Sequence, residues 1–423
     1  MTKSIHLCLV WSLLFLPDAF SATCESEHFI IYSDLDPRYV RFIQANAEAY
    51  YEQMEQLYFK TGGEKRIIIY YSHTQADTQT LFDKHGLKEK AHYGRYVPAV
   101  PAIYTHQLMD TGGATGWGTL FHEITHHFIR LNFNDAPVWF DEGLACLLGE
   151  QTRIVKGKVN VGHPNPWREH ALRKMIENGE QIDVRHLTSL SASEFHKRRE
   201  NYHPARALFY WLYDNGYLEK YLKNVRRNGF SLPVLERTAG KSYKTINNEL
   251  LSFIKRNCYA GAFLYEGLAA ADDNHSERLF LKALELKPDY QVARLKLAWG
   301  YFRRKSQQKC RDNLEQILKD PECIEYRGAL ELMGHICYRE KSYAEALKYY
   351  QQALDYSQYH EFKHELYHWT AVCYHYLGHY DKARQFHNEF LDNNWEPDRL
   401  SKLVEYSQKY LKASEKKPEK QIK

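Results

Sequence analysis

The chain has almost no excess charge of either sign. Its 57 Lys and Arg against 53 Asp and Glu leave +4 over 423 residues. That balance gives no reason to expect a nucleic-acid partner, because phosphate backbones select strongly basic faces. The basic runs Lys197-Arg198-Arg199, Arg226-Arg227 and Arg303-Arg304-Lys305 are short and read as solvated faces. Long apolar runs are missing too. The stretch 5–16 is shorter than a bilayer span. With Lys3 ahead of it and Ala19-Phe20-Ser21 behind, it reads as a secretory signal over residues 1–22, an uncleaved anchor being the alternative. The mature chain is therefore expected in the periplasm or the medium, with no integral membrane span. Ser21-Ala22-Thr23 is a poor lipidation context for Cys24. Removing the signal leaves 8 − 1 = 7 cysteines, with neither a zinc-finger spacing nor a regular disulfide framework. Export permits some pairs to oxidise, but the spacing names none.

Against this background one short segment stands out, His122-Glu123-Ile124-Thr125-His126. Residues four apart share a helix face, so His122 and His126 can offer two imidazoles to one ion. Glu123 then sits beside the metal rather than on it, where a base for an activated water belongs. The plain alternative is a surface helix in a chain with 22 His. The apolar series Trp117, Leu120, Phe121, Ile124, Phe128 and Ile129 weakens it, since it predicts a partly buried helix whose ionisable groups need partners. A glycine-rich stretch, Thr111-Gly112-Gly113-Ala114-Thr115-Gly116, precedes it.

Turn chemistry at Asn132-Phe133-Asn134-Asp135 predicts the end of that helix, with Asp135 as a cap for the next. The second helix, about 137–149, carries Glu142 among Val138, Trp139, Phe140, Leu144, Leu147 and Leu148. A helix–turn–helix return brings Glu142 toward the histidines as a third ligand. Gly143 and Ala145 are small enough to let the two helices approach closely. Asp141 is either an orienting partner for a ligating histidine or a helix N-terminal charge. Cys146, one turn on, reads as a buried apolar residue rather than a ligand.

His122-Glu123-x-x-His126 followed by Trp139-Phe140-Asp141-Glu142-Gly143-Leu144-Ala145 resembles the gluzincin metallopeptidases, in particular the bacterial peptidase-MA-like group distantly related to aminopeptidase N. The resemblance covers about residues 27–256. It implies one Zn2+ held by His122, His126 and Glu142, with Glu123 as general base. It further implies that Tyr202, in Tyr202-His203-Pro204-Ala205-Arg206, supports the oxyanion, with His203 as the alternative donor. Gly94-Arg95-Tyr96-Val97-Pro98-Ala99-Val100-Pro101-Ala102-Ile103 reads as an edge strand or rim loop, and in gluzincins such an edge pairs with the substrate backbone. Two departures stand against the aminopeptidases themselves. The His126-to-Glu142 spacing is slightly shorter, and Ile103-Tyr104-Thr105-His106-Gln107-Leu108 replaces the element that captures a free amine.

Elsewhere, residues 28–32 and 66–71 read as strands and 38–59 as an intervening helix. From 165 to 256 the pattern is helical. The expected fold class is α+β, a gluzincin-like domain over 23–258 followed by an α-helical solenoid over 259–412. The solenoid resembles tetratricopeptide repeats: Leu330, Met333, Gly334, Cys337, Ala346, Tyr350 and Ala353 fit one unit, and Tyr367, Ala371, Tyr374, Gly378, Ala383 and Phe390 the next. Residues 413–423 are Lys-rich and expected to be disordered. The function expected is an exported zinc peptidase acting on a peptide or protein substrate, its repeats recruiting that substrate or a protein partner. Two alternatives stay open: a non-catalytic repeat scaffold with a structural or vestigial metal site, and an amidase acting on cell-wall peptides.

Overall fold

The computed structural model describes residues 22–61, 65–91, 93–106, 116–358, 363–394 and 400–415. The expected signal up to residue 21, the glycine-rich stretch 111–115 and the tail from 416 lie outside them. The chain divides into two compact units, 1–153 with 159–288, and 154–158 with 289–423. The first extends past residue 258, because the helix Tyr259–Ala269 packs against the helix Pro166–Glu177.

In the first unit, five strands form one mixed sheet in the order β1-β2-β3-β5-β4. They are β1 (Ala22–Glu25), β2 (Phe29–Ser33), β3 (Ile67–Ser72), β4 (Gly94–Val97) and β5 (Ala102–His106). The central pairs β2–β3 and β3–β5 are parallel; both edge pairs are antiparallel. Period-two alternation sorts the side chains between two faces. Tyr70, Ala102 and Tyr104 cluster with Leu81 and Phe82 of helix α2 (Gln75–Lys84). Helix α1 (Pro37–Leu57) covers the opposite face, where its Tyr51 meets Phe29 edge-on. Its buried Val40, Ile43, Ala47, Tyr50 and Met54 recur at the predicted helical spacing. The segment 94–103 contains an edge strand, β4. Its two prolines fall in the turn to β5, where no ladder donor is lost.

Helix α3 (Gly116–Asn132) carries the two histidines, and α4 (Val138–Leu148) carries Glu142. Asp135 does not cap α4. It adopts φ 51 in the turn, and Pro137 occupies the N-cap with no side-chain bond. The α-helices that follow are α5 (Pro166–Glu177), α6 (Val184–Ser189), α7 (Ala192–Lys197), α8 (Tyr202–Asp214), α9 (Leu218–Asn228), α10 (Leu232–Ala239), α11 (Tyr243–Phe253), α12 (Tyr259–Ala269) and α13 (Asp273–Leu286). A hairpin of β6 (Arg153–Val155) and β7 (Lys158–Asn160) lies between α4 and α5.

The second unit is an array of helix hairpins: α14 (Gln291–Arg303) with α15 (Gln307–Ile317), α16 (Tyr326–Arg339) with α17 (Tyr343–Asp355), and α18 (Lys363–Tyr376) with α19 (Tyr380–Asn393). Leu330, Cys337, Ala346, Tyr350, Ala353, Leu366 and Cys373 form one buried cluster across α16, α17 and α18. A last helix, α20 (Ser401–Glu415), runs into the stretch expected to be unstructured, and its Ser414 is buried. Among the described residues the fold is thus mostly helical, with one small mixed sheet and the two-stranded hairpin. All seven described cysteines are free thiols, so none of the permitted pairings forms.

Ser407 of α20 is held by two buried imidazoles. His368 Nδ1 lies 3.0 Å and His387 Nδ1 2.9 Å from its hydroxyl. The hydroxyl has one hydrogen to give and two lone pairs to accept with, so at least one of the two rings donates to it from Nδ1. Burial holds His368 down to about 4; burial, with His368 and His375 nearby, holds His387 down to about 3. A histidine depressed in the fold binds its proton in the unfolded chain first. Stability is therefore full above the ordinary value of 6.5 and is lost as pH falls from 6.5 toward 4 and 3. We expect the array to lose a few kcal/mol between pH 7 and pH 4. Thermal melts of the wild type and of His387→Asn across that range check this: the wild-type slope should be steep and the variant's shallower.

Candidate metal centre

Helix α3 is fixed from below before it presents anything to solvent. Leu120, Phe121, Ile124 and Phe128 are buried. Tyr50 of α1 stacks on Phe121 with ring centroids 4.4 Å apart, and its hydroxyl meets Thr125 Oγ1 at 2.7 Å. The 122/126 face is left turned toward α4.

There the structure brings His122, His126 and Glu142 together. His122 Nε2 and His126 Nε2 are 3.0 Å apart; Glu142 Oε2 lies 3.4 Å from the first and 3.7 Å from the second. Tetrahedral zinc with bonds of about 2.0–2.1 Å separates its ligand atoms by about 3.4 Å, which this triangle approximates. Two bare imidazole nitrogens in mutual contact also make a poor pair unless a proton or a cation lies between them. Two imidazoles and a carboxylate form a donor set suited to zinc, and the residues present fit that ion.

The local field points the same way. Burial opposes charge on His126, but Asp141, Glu142 and Glu123 together raise it to about 10. Burial likewise opposes charge on Glu142, and His122 and His126 overcome it to bring the carboxyl down to about 2. Three carboxylates around two imidazoles call for positive charge.

Asp141 Oδ1 lies 2.7 Å from His126 Nδ1, leaving Nε2 as the ring's inward-facing nitrogen. Asp141 also stands in the first turn of α4, so the two readings of it are compatible. We expect Asp141→Asn to weaken zinc binding by about 10–100-fold, measured by competition with a chromophoric chelator.

Glu123 is buried beside the triad, and burial pushes its carboxyl up while His122 and His126 pull it down. The β4 backbone lies against it. A Cβ on Gly94 would meet Glu123 Oε1 at 2.8 Å and Thr119 Cγ2 at 2.7 Å. The Tyr96 amide donates to Glu123, and the Tyr96 hydroxyl meets His127 Nδ1 at 2.9 Å. The general-base candidate therefore sits under the edge strand.

Tyr202 opens α8 and reaches the same point. Its hydroxyl donates to Glu142 Oε1 over 3.4 Å and lies 3.2 Å from His196 Nδ1. His203 does not join it. Its ring packs edge-on against Trp167, burial holds it down to about 3, and its Nδ1 has no hydrogen-bond partner. Sequence reasoning did not single out His196, because a short helix and a turn separate it from Tyr202 and no fixed spacing signals the pairing.

Close helix approach comes from a different glycine than expected. Gly143 packs against Phe209 and Ala205 of α8. Gly149, the C-cap of α4, is the one pressed on α3, where a Cβ would stand 2.3 Å from the His122 nitrogen. A second trio, His122, Cys146 and Glu150, shares His122 with the first. Burial pushes the Cys146 thiol far up, and Arg168 with Asn165 occupies the Glu150 oxygens.

No protein-family model matches the sequence, and no curated protein matches it.

Proposed function

We propose that the chain is a zinc-dependent peptidase of the gluzincin type, with His122, His126 and Glu142 holding the ion and Glu123 as general base. The observation that carries this reading is the donor triangle with a buried carboxylate at its side. A purely structural site has no use for that carboxylate. Zinc bound there supplies a Lewis acid that polarises a carbonyl and lowers the pKa of water to about 7. Glu123 takes the proton of the attacking water and hands it to the departing amine. The Tyr202 hydroxyl donates to the oxygen that gains charge. β4, an edge strand of the sheet lying against Glu123, is the segment that would align an extended substrate beside the base.

The paired helices of the second unit, whose sequence resembles tetratricopeptide repeats, support recruitment of a peptide or protein partner. Export to the periplasm or medium completes the proposal; among the described residues no helix is long and apolar enough to cross a membrane.

The test is metal analysis of the purified chain combined with cleavage of a mixed peptide library, with and without chelator. One bound zinc and chelator-sensitive cleavage is the expected result. Zinc without cleavage would leave a repeat scaffold, and cleavage confined to wall peptides an amidase. Within the peptidase reading, Tyr202→Phe should lower kcat about a hundredfold with little change in KM, because the phenol acts on charge that appears after binding.

A further inference from the structure

Resting on the peptidase reading, we infer that His196 is a positioning residue that holds the Tyr202 phenol with its hydrogen turned into the site. The Tyr202 oxygen has one hydrogen and two neighbours, Glu142 Oε1 at 3.4 Å and His196 Nδ1 at 3.2 Å. A carboxylate only accepts. If His196 Nδ1 also accepted, the two would compete for the single hydrogen, and the phenol could be turned away from the substrate. If His196 Nδ1 carries a hydrogen, it donates to the phenol oxygen. The phenol hydrogen is then directed to the Glu142 side, where the 3.4 Å bond is long enough to yield to a stronger acceptor. Donation into the oxygen also polarises the O–H bond and improves it as a donor.

His196 is held for this purpose. Ser191 and Glu194 form a capping box at the start of α7. Phe195 is fully buried, and its ring lies 5.1 Å from that of Tyr202. Asn201 ties the following turn back to the Phe195 carbonyl at 2.9 Å. With Phe195 anchored inward, the next residue is left exposed beside the phenol.

The tautomer decides the matter without any turnover. In the full chain labelled with 15N-histidine, the signal lost in His196→Gln identifies the ring. We expect the Nδ1–H tautomer in the wild type and a return toward Nε2–H in Tyr202→Phe. An Nε2–H ring in the wild type, or a tautomer indifferent to Tyr202→Phe, overturns the inference even if no peptide is ever cleaved. Where cleavage is found, His196→Ala should lower kcat about tenfold, the worth of one hydrogen bond, with KM nearly unchanged. His196→Gln should recover most of that loss through its amide N–H. In the Tyr202→Phe background His196→Ala should cost nothing more; an equal cost in both backgrounds would overturn the inference. Failure of the wild type to cleave anything would count against the peptidase reading alone.

Discussion

Glu123→Gln should keep its zinc and lose about a thousandfold or more in kcat/KM, about 4 kcal/mol in the barrier. The substitution removes one property, the capacity to take a proton. It is nearly isosteric, so the side chain still fits against Gly94 and Thr119. Its amide oxygen can still accept from Tyr96, the backbone donor to the native carboxylate. His122, His126 and Glu142 are untouched, and metal content should stay at one per chain. Stability should move the other way. Glu123 is a buried carboxylate whose ionisation burial opposes, and a neutral amide escapes that cost. We therefore expect an unfolding temperature equal to or above that of the wild type. A dead variant that binds metal and melts higher separates a catalytic role from a structural one. Wild-type activity in Glu123→Gln would sink the mechanism.

The pieces of this site legible in the sequence are those that depend on one helix or one turn. Helical spacing alone puts His122 and His126 on one face, and a short turn before Pro137 is enough to return Glu142 to them. Tyr50 shows up as a buried position through its periodicity, though its bond to Thr125 does not. The illegible pieces are set by elements meeting from distant parts of the chain. Gly94 looks like the start of a strand, and nothing local says that a carboxylate from residue 123 will rest on it. His196 looks like one more solvated histidine until Phe195 is seen to anchor its helix. Helix α12 pairs with α13 as a hairpin and also with α5, nearly a hundred residues earlier, and no local pattern announces that second contact. The two imidazoles around Ser407 depend on three helices at once.

Gly149 is the sharpest case of such a tertiary demand, and Gly149→Ala should damage both stability and metal binding. The residue has φ −90 and ψ −54, a conformation alanine adopts freely. On backbone grounds alone alanine should stabilise by about 0.4–1 kcal/mol by restricting the unfolded chain. The contact reverses that sign. A Cβ at this point would stand 2.3 Å from the His122 nitrogen, 2.4 Å from its Cα and 2.8 Å from the Phe121 carbonyl carbon. These are backbone atoms of a helix whose other face is pinned by Tyr50 and the buried Ile124 and Phe128, so no rotamer relieves the overlap. The helices must separate, at about 1–3 kcal/mol or more by analogy with overpacked cores. Separation matters beyond stability because α3 carries His122 and His126 while α4 carries Glu142, now 3.4 and 3.7 Å from them. A displacement of about 1 Å at a reacting centre costs about a hundredfold in rate. The distinguishing measurement is thermal unfolding with and without added zinc. A ligand that binds only the folded chain raises its stability in proportion to the logarithm of its affinity. The wild type should gain strongly from zinc, and Gly149→Ala should gain far less. A variant that melts lower but keeps the full zinc increment would show that Gly149 serves packing alone, with no bearing on how the three ligands meet.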